Sequence, residues 1–229
     1  MKAAIKVVVL VMVAALFVLA ARAYLGYRNF YSYAAGREKA TNLEGSFTGL
    51  ERDLAKAVSF SKNPLFYQEM GRLYLEMALA ENKFGTPEKR DEYLDRARES
   101  LEGLIRRNPL EAFGYYELGK VYMLYNYPLL TYAAKGRTYL RKALEMRLVD
   151  EDLNVNVLYA YLAQWDRLSD AEKDFVYAAV ARNLETDTNF FPRVLALWTS
   201  EFKDSAKLKA IFSENKDLWA KLARFFPVQ

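Results

Sequence analysis

Two short stretches of this chain copy one another. Tyr67-Gln68-Glu69-Met70-Gly71-Arg72-Leu73-Tyr74 and Tyr115-Tyr116-Glu117-Leu118-Gly119-Lys120-Val121-Tyr122 share one form: tyrosine, any residue, glutamate, apolar, glycine, basic, apolar, tyrosine. An Asn-Pro-Leu precedes each, at Asn63-Pro64-Leu65 and Asn108-Pro109-Leu110. Self-similarity at a spacing of tens of residues marks a repeat architecture. In such a fold one supersecondary unit cannot bury its apolar face alone and must stack on its neighbours.

The second copy invites a competing reading. Gly114, four residues, then Gly119-Lys120 nearly matches the phosphate-binding loop of nucleotide hydrolases. The hydroxyl residue that would hold magnesium is Val121, and no strand precedes the loop. Tyr115 to Leu118 are too bulky to cradle a phosphate with backbone N–H groups. The stretch reads as helix.

Helical spacing runs through the chain from Phe47 onward. Phe47, Leu50, Leu54, Ala57 and Val58 recur at three and four, with Ser46 as a cap. Pro64 opens a helix through Tyr67, Met70, Tyr74 and Leu75. Thr86-Pro87-Glu88 is a helix start, followed by Leu94, Ala97, Leu101, Leu104 and Ile105 on one face. Asn108-Pro109 ends that helix. Further helices are expected over Ala112 to Tyr125, Leu130 to Met146 and Leu153 to Trp165. Ser169-Asp170-Ala171-Glu172 reads as a capping box opening a helix to Leu184. Shorter helices follow around Trp198, Leu208 and Trp219. No alternating strand pattern is long enough to trust.

On these residues the chain resembles the tetratricopeptide repeat family, in which each repeat is a pair of antiparallel helices. The first pair uses Tyr67, Met70, Gly71 and Tyr74, then Ala97, Leu101, Leu104 and Pro109. The second uses Tyr115, Leu118, Gly119 and Tyr122, then Gly136, Leu140 and Ala143. A third uses Val155, Leu158, Tyr159 and Leu162, then Ala171, Phe175 and Ala178, with Tyr159 where a small residue is expected. Leu50, Leu54 and Ala57 resemble the second helix of a preceding half-repeat. Insertions separate the helices near Asn82 to Glu92 and Asn126 to Lys135. The resemblance implies an all-α solenoid of antiparallel helix pairs from about Phe47 to Leu184. Gly71 and Gly119 are then small because a partner helix crosses there, which offsets the roughly 1 kcal/mol that glycine costs inside a helix.

The N-terminus is of another kind. Val7 to Ala21 carries no charge, with Lys2 and Lys6 before it and Arg22 after. Fifteen helical residues span about 22 Å, short of a hydrocarbon core of roughly 30 Å. Extension to residues 7–25 and beyond, with Lys6 and Arg22 snorkelling, completes a single-pass transmembrane helix. Tyr24, Tyr27, Phe30, Tyr31 and Tyr33 follow as an interfacial aromatic belt. The alternative is a cleaved signal peptide with Ala21-Arg22-Ala23 as its cleavage site. Either sends the body across a bacterial-type inner membrane to the exported side, or secretes it. Three segments are expected: anchor or signal 1–36, helical repeats 37–184 and capping helices 185–229.

Composition narrows the chemistry. The chain has no histidine and no cysteine, which excludes imidazole catalysis, Ser-His triads, disulfides and thiolate metal sites. Of 33 basic and 29 acidic residues, six and one lie in the first 39, leaving 27 against 28 for the body. That balance gives no nucleic-acid partner. Ser213-Glu214-Asn215-Lys216 matches Ser-x-x-Lys of acyl-transfer enzymes without its companion motifs. Asp150-Glu151-Asp152 fits the N-terminal dipole of the next helix better than a cation site. No catalytic residue, cofactor or metal is expected. A carboxylate-based hydrolase is the remaining enzyme class, and no spacing selects its pair.

The resemblance puts Gln68, Arg72, Tyr116, Lys120 and Asn156 on an inner groove of first helices. Cations and amides there suit the carboxylate and peptide bonds of an extended peptide or a C-terminus, and Tyr116 supplies rigid contact area. The plainer reading is solvated residues on amphipathic helices. The implied function is a membrane-tethered scaffold for protein–protein interaction in assembly of a cell-envelope or secretion complex. The alternative is an accessory subunit of polysaccharide export or polymerisation.

Overall fold

The computed structural model describes residues 2–39, 47–124, 133–146, 151–202 and 205–226. Among the described residues all regular structure is helical: α1 Lys2–Lys39, α2 Phe47–Phe60, α3 Pro64–Phe84, α4 Pro87–Arg107, α5 Ala112–Leu124, α6 Ala133–Met146, α7 Glu151–Leu162, α8 Asp170–Thr186, α9 Phe190–Phe202, α10 Ala206–Ser213 and α11 Lys216–Leu222. A 3-10 turn, Trp165–Arg167, follows α7, and another, Ala223–Phe225, follows α11. The chain forms two compact units, Met1–Gly136 and Arg137–Gln229. The Ser46 cap, Asp150 and most of the insertion expected near Asn126 to Lys135 lie outside the described residues.

In the first unit α3 and α4 make an antiparallel hairpin. Each helix begins with a proline at its first turn behind a capping side chain, Asn63 and Thr86. Partners fall in number along α4 as they rise along α3: Tyr67 meets Gly103 and Arg107, Gly71 meets Leu101, and Tyr74 meets Tyr93. Leu73, Leu94, Ala97 and Leu101 are fully buried in this seam. Each such leucine contributes about 1.5–3 kcal/mol. Only Gly85 and Thr86 join the two helices. The insertion expected near Asn82 to Glu92 is therefore no loop. It lengthens both helices to 21 residues, because the apolar spacing continues unbroken to the Thr86 cap.

Glycine sits where the helices approach most closely. A Cβ on Gly71 would lie 2.6 Å from Leu101 Cγ. At the second approach a Cβ on Gly136 of α6 would lie 2.9 Å from the Gly119 carbonyl oxygen of α5. The near-phosphate-loop residues Gly114 to Lys120 are all inside α5.

Helix α1 is one continuous element of 38 residues. At 1.5 Å per residue it is about 57 Å long, well beyond a hydrocarbon core of roughly 30 Å. Its two halves have different surroundings. Val7 to Leu19 expose large apolar side chains at 53% to 75%, with nothing among the described residues covering them. From Arg22 on, the helix packs antiparallel on α2 and parallel to α3. Gly26 abuts Ser61 and Phe66, Gly36 abuts Leu50, and Phe30 stacks on Phe66 at 5.0 Å. Leu50, Leu54 and Ala57 of the expected half-repeat are buried in α2. The continuation of α1 packs against this face of α2. This corrects the aromatic belt. Tyr24 and Tyr31 are exposed, at 68% and 69%, but Tyr33 is buried and Phe30 is half-buried against Phe66. Spacing of three to four brings these two onto the inward face of α1.

The second unit is knit by aromatic side chains. Trp198 meets Tyr159 and Phe202, Trp165 meets Tyr177, and Phe191 meets Phe212, Phe225 and Phe226. The Ser169–Glu172 capping box opens α8 in both directions. The third repeat departs from expectation in its second helix. Ala171 and Ala178 are exposed, and the buried face of α8 is Val176, Ala179, Val180 and Asn183. The buried stripe is displaced by about one residue and takes in Asn183, which accepts a 2.7 Å hydrogen bond from the Asn154 amide of α7. That bond needs Asn183 inside.

Candidate functional site

The five groove candidates divide between the units. Gln68 and Arg72 are on α3 and Tyr116 and Lys120 on α5, in the first unit, where α3 touches α5. Asn156 is on α7 of the second unit, exposed, with its Nδ2 donating to the Asp152 carbonyl one turn back at 2.7 Å. Gln68 and Tyr116 are half-buried, and Arg72 is exposed.

The two copies build the same local device. Arg72 donates to Glu69, three residues earlier, at 3.4 Å. Lys120 donates to Glu117, also three residues earlier, at 2.9 Å. Three residues is the helical spacing that lets side chains meet. The glutamates are the deeper partners: the Glu117 side chain is 8% exposed against 36% for Lys120. Lys120 Nζ also lies 5.1 Å from the centre of the Tyr116 ring. Burial first, and then the Glu117 charge, push the Tyr116 hydroxyl up to about 12.

Glu69 has a second task. Tyr33 of α1 donates its hydroxyl to Glu69 Oε2 at 3.0 Å, and Arg37 donates to the Tyr33 oxygen at 2.8 Å and to Glu76. Arg72 is thus wired through Glu69 to the helix that carries the apolar segment. On the far side of α3, Tyr74 donates to Glu51 of α2 at 2.9 Å, and Arg96 of α4 donates to the same carboxylate at 2.8 Å. Burial, then Glu51, pushes the Tyr74 hydroxyl up to about 12.

Residue types alone single out the cations and pass over Glu69 and Glu117. The signal was present, since both copies place glutamate three residues before the basic residue. Each copy therefore sets a half-exposed cation on a deeper carboxylate that it already pairs. Such a dipolar pair matches a peptide backbone, which presents C=O and N–H together, better than it matches a bare anion.

Of the clefts in the first unit, one of about 470 Å³ is lined by Phe47, Thr48, Met77, Glu81, Lys89 and Tyr93 among others. Glu81 there already accepts the Thr86 N–H at 3.2 Å. Among the described residues no group of three or more aspartates and glutamates is placed to hold a metal ion. The Ser-x-x-Lys stretch straddles a helix junction: Ser213 ends α10 and donates to the Ala210 carbonyl, while Asn215 caps α11. No family model, curated protein or solved structure matches the chain.

Proposed function

We propose that this chain is a membrane-anchored scaffold of tetratricopeptide-like helix pairs. Its α3–α5 face binds an extended segment of a protein partner during assembly of a cell-envelope or secretion complex. The observation that carries the reading is the repeated pair, Glu69–Arg72 and Glu117–Lys120, set at equivalent steps of two successive copies. A repeated pair at a repeated step suits a ligand that is itself periodic, as an extended peptide is. The antiparallel α3–α4 hairpin and the glycine approaches at Gly71 and Gly136 support stacking of the pairs into a solenoid.

The anchor reading rests on α1. Among the described residues one helix, near the N-terminus, is long and apolar enough to cross a membrane. A signal sequence meets the same test. The exposed aromatics Tyr24 and Tyr31 just after the uncharged run support retention as an anchor. A long C-terminal body translocates largely regardless of flanking charge, which supports the exported side. No reaction belongs to this reading.

The test is a purified, detergent-solubilised chain with a tag, cross-linked in cells beside a variant with Arg72, Tyr116 and Lys120 changed to alanine. The reading requires a partner captured by the parent and lost from the folded variant. An unchanged partner set removes the groove from the function.

A further inference from the structure

The two Asn-Pro-Leu turns take no part in the groove, yet they stand together in the first unit. They mark the end from which the exposed apolar half of α1 emerges. Level along the helices follows from contacts. Arg22 Nε donates to the Phe60 carbonyl, Gly26 abuts Ser61, and Asn63 donates to the Tyr27 hydroxyl at 2.7 Å. The turn before α3 is therefore level with residues 22–27 of α1. Helix α4 returns antiparallel, so Arg107 lies over the Tyr67 ring at 4.2 Å. Its following turn, Asn108 to Leu110, reaches the same level. Both turns sit within about 10 Å, along the axis, of Arg22, which ends the uncharged run. The opposite turn, Gly85-Thr86, is a further 21-residue helix away, about 30 Å.

This end is chemically unlike the other. Lys62, Arg106 and Arg107 are exposed, as are Arg22 and Arg28 of α1. The acidic residues facing them are Glu102, 3.9 Å from Arg106, and Glu111, which accepts from Asn108 at 3.3 Å. Between the cations stand two exposed leucines, one from each turn: Leu65 at 40% and Leu110 at 79%. The far turn instead intersperses both signs, with Glu81, Lys83, Glu88, Lys89, Arg90 and Asp91.

We propose that the two Asn-Pro-Leu turns form a foot that rests on a bilayer containing anionic lipid. Leu65 and Leu110 enter the headgroup boundary, and Lys62, Arg106 and Arg107 face lipid phosphates. The inference rests on α1 being a membrane span. Apolar side chains ringed by cations are what an interfacial segment needs. The tether holds the foot at high local concentration, so a weak surface attraction suffices. The consequence is a first unit held upright on the membrane, with the α3–α5 face kept at fixed height.

The chain contains no cysteine, so single-cysteine labelling is clean. Leu16→Cys, Leu110→Cys and Lys83→Cys would each carry an environment-sensitive fluorophore on the full chain. The chains go into nanodiscs of zwitterionic lipid with or without phosphatidylglycerol, with brominated acyl chains as quencher. The foot predicts quenched, blue-shifted emission at positions 16 and 110 and neither at 83. Lys62→Glu, Arg106→Glu and Arg107→Glu together must abolish the signal at 110 and leave that at 16, with helical circular dichroism unchanged. Omitting phosphatidylglycerol must weaken the signal at 110. Quenching at 16 with a water-exposed probe at 110 overturns the foot alone. Persistence at 110 after charge reversal, or without anionic lipid, overturns its electrostatic basis. A water-exposed probe at 16 overturns the anchor reading and the foot with it.

Discussion

Gly71→Ala is expected to change sign with its neighbour. In the native chain the new Cβ would lie 2.6 Å from Leu101 Cγ and 2.7 Å from Cδ2, and Leu101 is fully buried. Overpacking of that kind costs about 1–3 kcal/mol. Alanine's better helix propensity returns about 1 kcal/mol. The single variant should therefore be destabilised by about 1 kcal/mol. Leu101→Ala alone should cost about 3 kcal/mol through lost burial and a residual cavity. In the Leu101→Ala background the crowding is gone, and Gly71→Ala should then stabilise by about 1 kcal/mol. The coupling between the two sites is about 2 kcal/mol. The assay is denaturant unfolding of the full chain in detergent, followed by far-ultraviolet circular dichroism. Trp165, Trp198 and Trp219 all belong to the second unit, so their emission follows that unit separately. Equal effects of Gly71→Ala in both backgrounds would refute the argument that Leu101 is the reason for glycine.

Other expectations concern the second unit, the groove and the N-terminus. Asn183→Ala removes the acceptor of a buried Asn154 hydrogen bond, so tryptophan-monitored stability should fall by about 1–3 kcal/mol. Burial tends to raise the Glu172 carboxyl, but hydrogen bonds from Arg137 and Ser169 outweigh it and hold the group below the ordinary glutamate range. Its contribution is complete above the unfolded value and vanishes as pH falls through the folded one. Glu172→Gln should flatten that acid-side loss. Tyr116 runs the opposite way: its folded value of about 12 exceeds the unfolded 10, so it favours folding below pH 10 and loses that as pH rises towards 12. Tyr116→Phe should delete a late-titrating tyrosinate absorbance. Mass spectrometry of the chain purified from membranes should give the intact 26.5 kDa form, and a product lacking the residues before Tyr24 would contradict retention of α1.

Much of the fold was legible because its rules are local. Thr86-Pro87 and Ser169-x-x-Glu172 name their own helix starts, and both caps are present. Buried Ala97, Leu101 and Leu104 follow the apolar period. Failures came where long-range contact overrides the period. The buried stripe of α8 takes in Asn183, whose partner Asn154 lies 29 residues back. Phe30 and Tyr33 sit beside an apolar run and resemble a membrane belt. Their partners lie far along the chain, on α3: Tyr33 is 36 residues from Glu69, and Phe30 stacks on Phe66. The groove was legible as residue types and illegible as pairs. Glu69 and Glu117 look like ordinary helix-surface acids until their burial beside Arg72 and Lys120 is seen.

The central claim is that the α3–α5 face of an anchored chain holds a protein partner. The direct measurement is cross-linking in cells and capture of the parent beside the Arg72, Tyr116 and Lys120 alanine variant, with membrane recovery and helical content matched. A partner enriched by the parent and lost from the variant is the predicted result. The same partner in equal amount on both chains would contradict it.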